Sequence, residues 1–322
     1  LIKLDRREQL DALREAMGTL PEETQSRQDK LFWDLKNLSV SLVDAPTNPY
    51  RAIYEMVTAT WGGRDKWRNR WRNASPDGRL TVVKAVLSGQ TLGQPRETPK
   101  FTFQIQGPTR ASFDQFARHR FACIGSVGSR DNSHVDAALI VHPSLRKKYG
   151  KRIDQWWKLT KDIYCDIVDE GQSNWQNARA LLPMHMEWRW VEAWNLEALR
   201  HMCGQRLAFC EQWDTVATAW AIRESVKEHF PLIAAYLRPR CDYAGKCLYS
   251  QTYHLSELFS CLFAPCGRHP HASDYYATFN ESCTCREEIM ELTGIDVPRP
   301  QDWSEIVEAA IEKDMHHFES DV

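Results

Sequence analysis

The spacing of apolar residues divides the chain into one clear strand, several helices and the turns between them. Phe101, Phe103 and Ile105 alternate with Thr102 and Gln104, the period-two pattern of a half-buried strand, which Gly107-Pro108 is expected to end. Upstream, Leu10, Leu13 and Met17 recur at helical spacing, so residues 5 to 45 read as helical segments, an added hairpin. Residues 50 to 72 continue as helix, with Trp67 and Trp71 four apart and so on one face. Residues 79 to 87 are helical, and Gly93 to Pro99 is a turn-rich linker. After the strand, residues 110 to 119 return to helical spacing. Ala137 to His142 is a candidate strand, and residues 152 to 182 form a long helix interrupted near Gly171. Leu182 to Trp190 alternates with many aromatics and reads as a second strand, and residues 195 to 230 as one long helix. Pro231, Pro239 and Pro265 punctuate the remainder of the chain, and Trp303 to Lys313 is a short acidic helix.

This pattern suggests a helical N-terminal extension over 1–45, a central domain over 46–240, and a Cys/His-rich extension over 241–322 packed on that domain. A chain of 322 residues with 43% apolar side chains buries a sizeable core. The net charge of −2 provides no global field for nucleic acid or membrane, so any anion site is local. The most basic window holds Arg64, Lys66, Arg68, Arg70 and Arg72. It is either an amphipathic helix with Trp inward, the favoured reading, or a nucleic-acid patch. No secretory h-region and no long uncharged apolar run is present, which makes the expected location cytoplasmic. Six of the 10 cysteines fall between Cys241 and Cys285, beside His254, His269 and His271. None has the C-x2-C spacing of structural zinc modules, so buried thiols are favoured over a metal site, and no metal is expected.

The densest candidate chemistry is Arg118-His119-Arg120, followed by the small-residue stretch Gly125-Ser126-Val127-Gly128-Ser129-Arg130. Guanidiniums offer fixed forks to phosphate oxygens, and small residues let backbone N–H groups approach the same anion. A second block reads Ala178-Arg179-Ala180-Leu181-Leu182-Pro183, then Asn195, Arg206 and Gln212-Trp213-Asp214. By helical periodicity Asn195, Met202 and Arg206 share one face. A buried Asn and Arg there need partners, either an ion pair with a residue such as Glu211 or a ligand.

The string Gln115-x-x-Arg118-His119-Arg120, with Arg130 at the correct distance, resembles the signature of the flavin-dependent thymidylate synthases, the ThyX family. The second block aligns with that family without a gap, and the resemblance covers roughly residues 80 to 235. The family's loop Ser falls on Gly128, its Asn-Glu pair on Gly125 and Ser126, its second flavin-side Arg on Glu197, and a later Asn on His201. The His of an upstream family string appears as Gln90 or is lost in an insertion.

The resemblance implies an α+β fold, a twisted and mainly antiparallel sheet flanked by long helices. It further implies a homotetramer with FAD and nucleotide bound where subunits meet. Arg118, His119, Arg120, Ser126, Asn195 and His201 would hold the flavin. Gln115, Arg118, Gly128, Ser129, Arg130, Arg179 and Arg206 would hold the nucleotide. Arg206 would also be catalytic, drawing negative charge onto the uracil ring so that carbon 5 becomes a better nucleophile. The implied reaction is C5-methylation of UMP or dUMP, with methylenetetrahydrofolate as carbon donor and NADPH as co-substrate, the flavin carrying the hydride. The departures at Gly125, Gly128 and Glu197 resemble the specialised uridylate C5-methylases of polyoxin-type nucleoside-antibiotic biosynthesis. Two alternatives stay open: a nucleic-acid-binding protein using residues 64–72, and a flavin-binding homologue without methylase activity.

Overall fold

The computed structural model describes residues 31–32, 34–61, 70–129, 132–171, 174–208, 212–240, 242, 290–291, 293–298 and 302–321. The alternating residues nucleate the sheet. β2 (Ser39–Asp44), β3 (Lys100–Thr109), β4 (Cys123–Ser126) and β6 (Glu187–Asn195) form one antiparallel sheet in the order β2-β3-β6-β4. β1 (Leu31–Phe32) pairs in parallel with β5 (Leu139–Ile140) as a small second sheet. In the central pair Phe101 lies opposite Trp194, Phe103 opposite Glu192, and Ile105 opposite Trp190. Phe101, Phe103 and Ile105 are fully buried, as period-two alternation requires of one face.

Several expectations change here, and the strand expected over Leu182 to Trp190 lies at Glu187–Asn195 instead. Residues 39–44 are not helical: Val40 and Leu42 turn inward on alternate positions of β2, so this stretch joins the main sheet. Residues 1–30 lie outside the described residues. β3 does not stop at Gly107-Pro108 but runs on to Thr109 through a bulge between Gln106 and Thr109. Gly107 makes this possible with φ of +99°, and a Cβ there would sit 2.2 Å from the Asn37 carbonyl oxygen. The stretch 195–230 is two helices, not one.

The helices are α1 (Pro49–Trp61), α2 (Arg70–Asn73), α3 (Pro76–Leu87), α4 (Arg110–Phe116), α5 (Arg146–Asp169), α6 (Trp175–Ala178), α7 (Leu196–Arg206), α8 (Trp213–Lys227), α9 (Pro231–Ala235) and α10 (Trp303–Glu319). Buried residues in α8 include Asp214, Thr215 and Thr218 beside Val216, Ala217 and Ala219. A helix buried on so many sides has no polar face to interrupt, and this hides the break before it. α10 closes over the N-terminal helices. The Tyr50 hydroxyl donates to Asp314 at 2.5 Å, the Trp71 indole to the Ser320 carbonyl at 2.8 Å, and Arg79 to the Phe318 carbonyl at 2.6 Å. Arg70 is buried, which removes one cation of the basic window from any surface patch, and Trp71 turns inward beside it; residues 62–69 lie outside the described residues. So does most of the Cys/His-rich stretch, 243–289. Among the described residues no helix is long and apolar enough to cross a membrane.

Candidate active site

α4 begins at Thr109, whose side chain accepts from the Ser112 N–H at 3.1 Å and donates to Asp214. Phe116 anchors the other end, fully buried with its ring 5.8 Å from that of Trp190. The helix stops there. The His119 N–H bonds the Phe116 carbonyl at 3.0 Å, and the chain turns through Arg118-His119-Arg120-Phe121 into β4. This turn faces α7 across a cavity of about 560 Å³, lined by Arg118, His119, Arg120 and Phe121 on one side. Asn195, Glu197, His201, Gln205 and Arg206 line the other, with Trp194 and Glu97 at the edges.

His119 is the hub. Its ring stands edge-on to Trp194 at 5.6 Å and 6.1 Å from the ring of His201. Arg206 Nε donates to His119 Nε2 at 3.2 Å, and Arg206 Nη2 donates to the Gln115 carbonyl at 3.2 Å. Burial first, then the Arg206 charge and His201, push the His119 imidazole down to about 4. At neutral pH the ring is therefore uncharged, with Nε2 as acceptor and the proton on Nδ1. The arrangement fixes the Arg206 guanidinium in a cavity that two further arginines also line, without a fourth positive charge on the imidazole.

The first turn of α7 is different. Glu197 lines the cavity and is gripped by Arg96 Nε, while Arg96 Nη1 donates to the Val86 carbonyl. Arg96 is 5% exposed, so its hydrocarbon stem and charge are both committed to fixing Glu197. His201 Nδ1 lies 3.3 Å from Arg240 Nη2.

The structure brings together Arg118, His119, Arg120, Asn195, His201 and Arg206 at this cavity. Asn195 differs from the helical-face expectation. It is the N-cap of α7, with extended backbone, and its Oδ1 accepts from the Ala198 N–H at 2.8 Å. Met202 is fully buried, whereas Arg206 reaches the cavity. Gln115 contributes its carbonyl to Arg206.

The remaining predicted residues lie elsewhere. Ser126 ends β4, and Gly128 and buried Ser129 come after it. The Val127 N–H bonds the Arg189 carbonyl, near the far end of β6. Arg189 and Asn195 are separated by roughly 20 Å of strand. A small polar cavity of about 70 Å³ opens at that end, lined by Val127, His134, Asp136, Glu187 and Arg189. Arg179 starts a 3-10 turn, Arg179–Leu181, that packs beside α5. Arg130 lies outside the described residues, as does Glu211.

Trp194, Phe121, Gln205 and Glu97 line the cavity without having been singled out as site residues. Trp194 had a signal in the inward alternation of β6. Glu97 had none, because only tertiary packing brings its turn to α7. Among the described residues no three of His, Cys, Asp and Glu are grouped to hold a metal ion.

Residues 41–232, well over half of the chain, match the sequence model of a family described as thymidylate synthase complementing protein, Thy1. Flavin-dependent thymidylate synthases are among its relatives. That of Pyrococcus furiosus is 30% identical over 162 residues, 47% of this chain and 66% of the relative. That of Saccharolobus solfataricus is 26% identical over 207 residues, 63% of this chain and 78% of the relative. That of Pyrococcus abyssi is 29% identical over 208 residues, 60% of this chain and 84% of the relative. Among solved structures, a UMP/dUMP methylase, PolB, from Streptomyces cacaoi bound with 5-Br dUMP superposes with a TM-score of 0.54 at 14% identity, covering 64% of this chain and 96% of that one. The same methylase bound with 5-Br UMP gives 0.52 at 15% identity, covering 65% and 95%. At such identities the likeness establishes the shared α+β fold. The extent of the sequence match establishes more: the chain belongs to the thymidylate synthase complementing protein family.

Proposed function

We propose that this chain is a flavin-dependent methylase acting on carbon 5 of a uridine monophosphate, UMP or dUMP. FAD is its cofactor, methylenetetrahydrofolate the carbon donor and NADPH the reductant. The observation that carries the proposal is the Arg206–His119 pair set in a cavity that Arg118 and Arg120 also line. The donor set fits a flavin dinucleotide. The cavity volume is in the range of cofactor sites, two guanidiniums on one rim suit a pyrophosphate, and the His119–Trp194 edge offers an apolar wall for a ring system.

When bound, the reduced flavin supplies the hydride that completes the methyl group. The chain's own residues prepare the uracil. Arg206 holds a permanent positive charge where negative charge gathers on N3 and the ring carbonyls, which enriches carbon 5. Neutral His119 orients that guanidinium by accepting from Nε, and the Gln115 carbonyl fixes Nη2. Arg118 and Arg120 neutralise phosphate.

A single chain leaves this site divided. Arg206 and Gln115 stand at one end of β6, Gly128 and Ser129 at the other, and Arg179 beside α5. We therefore infer that the working form is a homotetramer in which a neighbouring copy brings the loop and Arg179 to this cavity. α5 has a face suited to such contact: Tyr149, Trp156, Leu159 and Ile163 are exposed along it, with Leu159 62% open to solvent.

The test is direct. Purified protein should carry a flavin absorbance spectrum and release tritium from carbon 5 of labelled dUMP or UMP when supplied with methylenetetrahydrofolate and NADPH. Arg206→Ala should abolish release and keep the flavin. A protein without flavin, or an active Arg206→Ala variant, overturns the proposal. A yellow protein that releases no tritium from either nucleotide leaves a flavin-binding homologue without this activity.

A further inference from the structure

Charge is unevenly spread along α5. Its opening stretch holds Arg146, Lys147, Lys148, Lys151 and Arg152, and the first acid after them is Asp154. All five cations are exposed. Among the described residues none of the five is in an ion pair, whereas Lys158, further along, has Asp154 at 3.9 Å.

This arrangement works against the helix that carries it. The first turn of a helix holds the positive end of its dipole and favours acids, and α5 has none there. Lys147 and Lys151 are four apart, as are Lys148 and Arg152, so like charges also neighbour one another on the helix surface. A cluster that opposes both its dipole and its own members is stabilised by an external anion. With a net charge of −2 the rest of the chain adds no field of its own, so the attraction is confined to this end of α5.

The shape of the cluster selects the anion. At about 100° per residue the five side chains spread over about 240° of the helix circumference. A flat bilayer meets one side of a helix and would engage only part of the set. A flexible strand of phosphodiesters follows a curved surface and brings a charge with every nucleotide. The two arginines add planar forks for phosphate oxygens. The apolar run Trp156, Leu159 and Ile163 starts a turn beyond Arg152, so it and the cations draw on different residues.

We propose that the first two turns of α5 form a binding surface for single-stranded nucleic acid, held through its phosphates without sequence preference. None of the five cations lines the cavity beside His119, so this surface is separate from the site described above and does not depend on the flavin reading.

Fluorescence anisotropy of a labelled single-stranded oligonucleotide of mixed sequence, titrated with the full chain over a series of salt concentrations, tests this. The parent should bind, and its affinity should fall with salt along a log–log slope of about −3, the value for roughly four neutralised phosphates on a single strand. Lys147→Gln, Lys148→Gln, Lys151→Gln and Arg152→Gln combined should weaken binding at low salt about tenfold or more and flatten the slope toward zero. Glutamine keeps helix propensity at these exposed positions and removes like-charge neighbours, so this variant should melt no lower than the parent. Lys158→Gln, which removes a cation already paired, should change affinity by no more than about twofold. Excess UMP should leave the oligonucleotide bound; its displacement by UMP would place the strand in the nucleotide cavity and overturn the inference. A parent that does not bind at low salt overturns it too, as does a combined variant with the parent's affinity and slope. A parent that sediments with phosphatidylserine vesicles and leaves the oligonucleotide free overturns it in favour of a membrane surface. None of these outcomes bears on flavin content or tritium release, so this inference and the functional proposal fail separately.

Discussion

His119 and Glu192 are two ionisable side chains whose burial makes opposite demands on pH. The His119 imidazole is held down to about 4 in the folded chain against an ordinary value of 6.5. Between those values the unfolded chain binds a proton that the folded chain refuses, so this group lowers stability as pH falls from 6.5 toward 4. A His119→Gln variant should accordingly lose less melting temperature than the parent between pH 7 and pH 4.5, and equal losses in the two would refute the assignment. Glu192 lies in the middle of β6, fully buried, with Oε2 accepting from the Trp190 indole at 2.8 Å and Oε1 without a partner. Burial raises it to about 7 from 4.5, only partly opposed by the indoles of Trp190 and Trp194. Here the folded chain keeps the proton longer. The contribution to stability is fully present below 4.5 and is lost as pH rises through 7. Glu192→Gln cannot ionise, so its melting temperature should gain on the parent from pH 5 to pH 8. A gap that stays constant across that range would mean that Glu192 is already charged in the fold.

At the scale of elements, caps and bulges decide where side chains point. Asn195 was legible as a site residue but not as a cap, because a period of 3.6 assigns it a helical face. Only the extended backbone at Asn195 reveals that its Oδ1 closes the first turn of α7. Asn195→Ala should cost about 1 kcal/mol in denaturant unfolding, and Asn195→Asp should recover most of it. A neutral Asn195→Ala would show that the cap is dispensable. Gly107 makes a larger demand. Left-handed backbone combines with a 2.2 Å approach to the Asn37 carbonyl, so Gly107→Ala should destabilise by about 2–4 kcal/mol, and a smaller loss would mean that the bulge relaxes freely. β3 was legible because Phe101, Phe103 and Ile105 alternate over an unbroken run. β2 was missed because six residues beginning and ending in polar side chains leave little periodic signal beside a helical neighbour. The Arg118-His119-Arg120 wall was legible because it is contiguous in sequence. The opposing Arg96–Glu197 pair was not, since the two residues are 101 positions apart and meet only when the turn before β3 packs on α7.

The whole molecule is stitched to its own C-terminal helix and left open along α5. Tyr50, Trp71 and Arg79 all bond the α10 segment, so the N-terminal helices and α10 bury one another's aromatic faces. The α5 face is another matter: Trp156, Leu159 and Ile163 are spaced three and four apart, and the opposite side of the same helix buries Trp157, Lys161 and Tyr164. Exposing Trp, Leu and Ile together forfeits apolar burial at roughly 25 cal/mol per Å², a cost that the proposed neighbouring copy would remove. Because Arg179 packs beside α5, the copy proposed to seat there would also complete the residues that one chain holds apart. Leu159→Glu combined with Ile163→Glu should then convert the assembly to monomers in sedimentation, with helical circular dichroism preserved, since both side chains face solvent in the isolated chain. Uridylate affinity should fall together with the assembly, because Arg206 and the Gly128–Ser129 loop would no longer meet. Monomers that still bind uridylate as tightly as the parent would place the whole nucleotide site within one chain, and an intact assembly would move the contact away from α5.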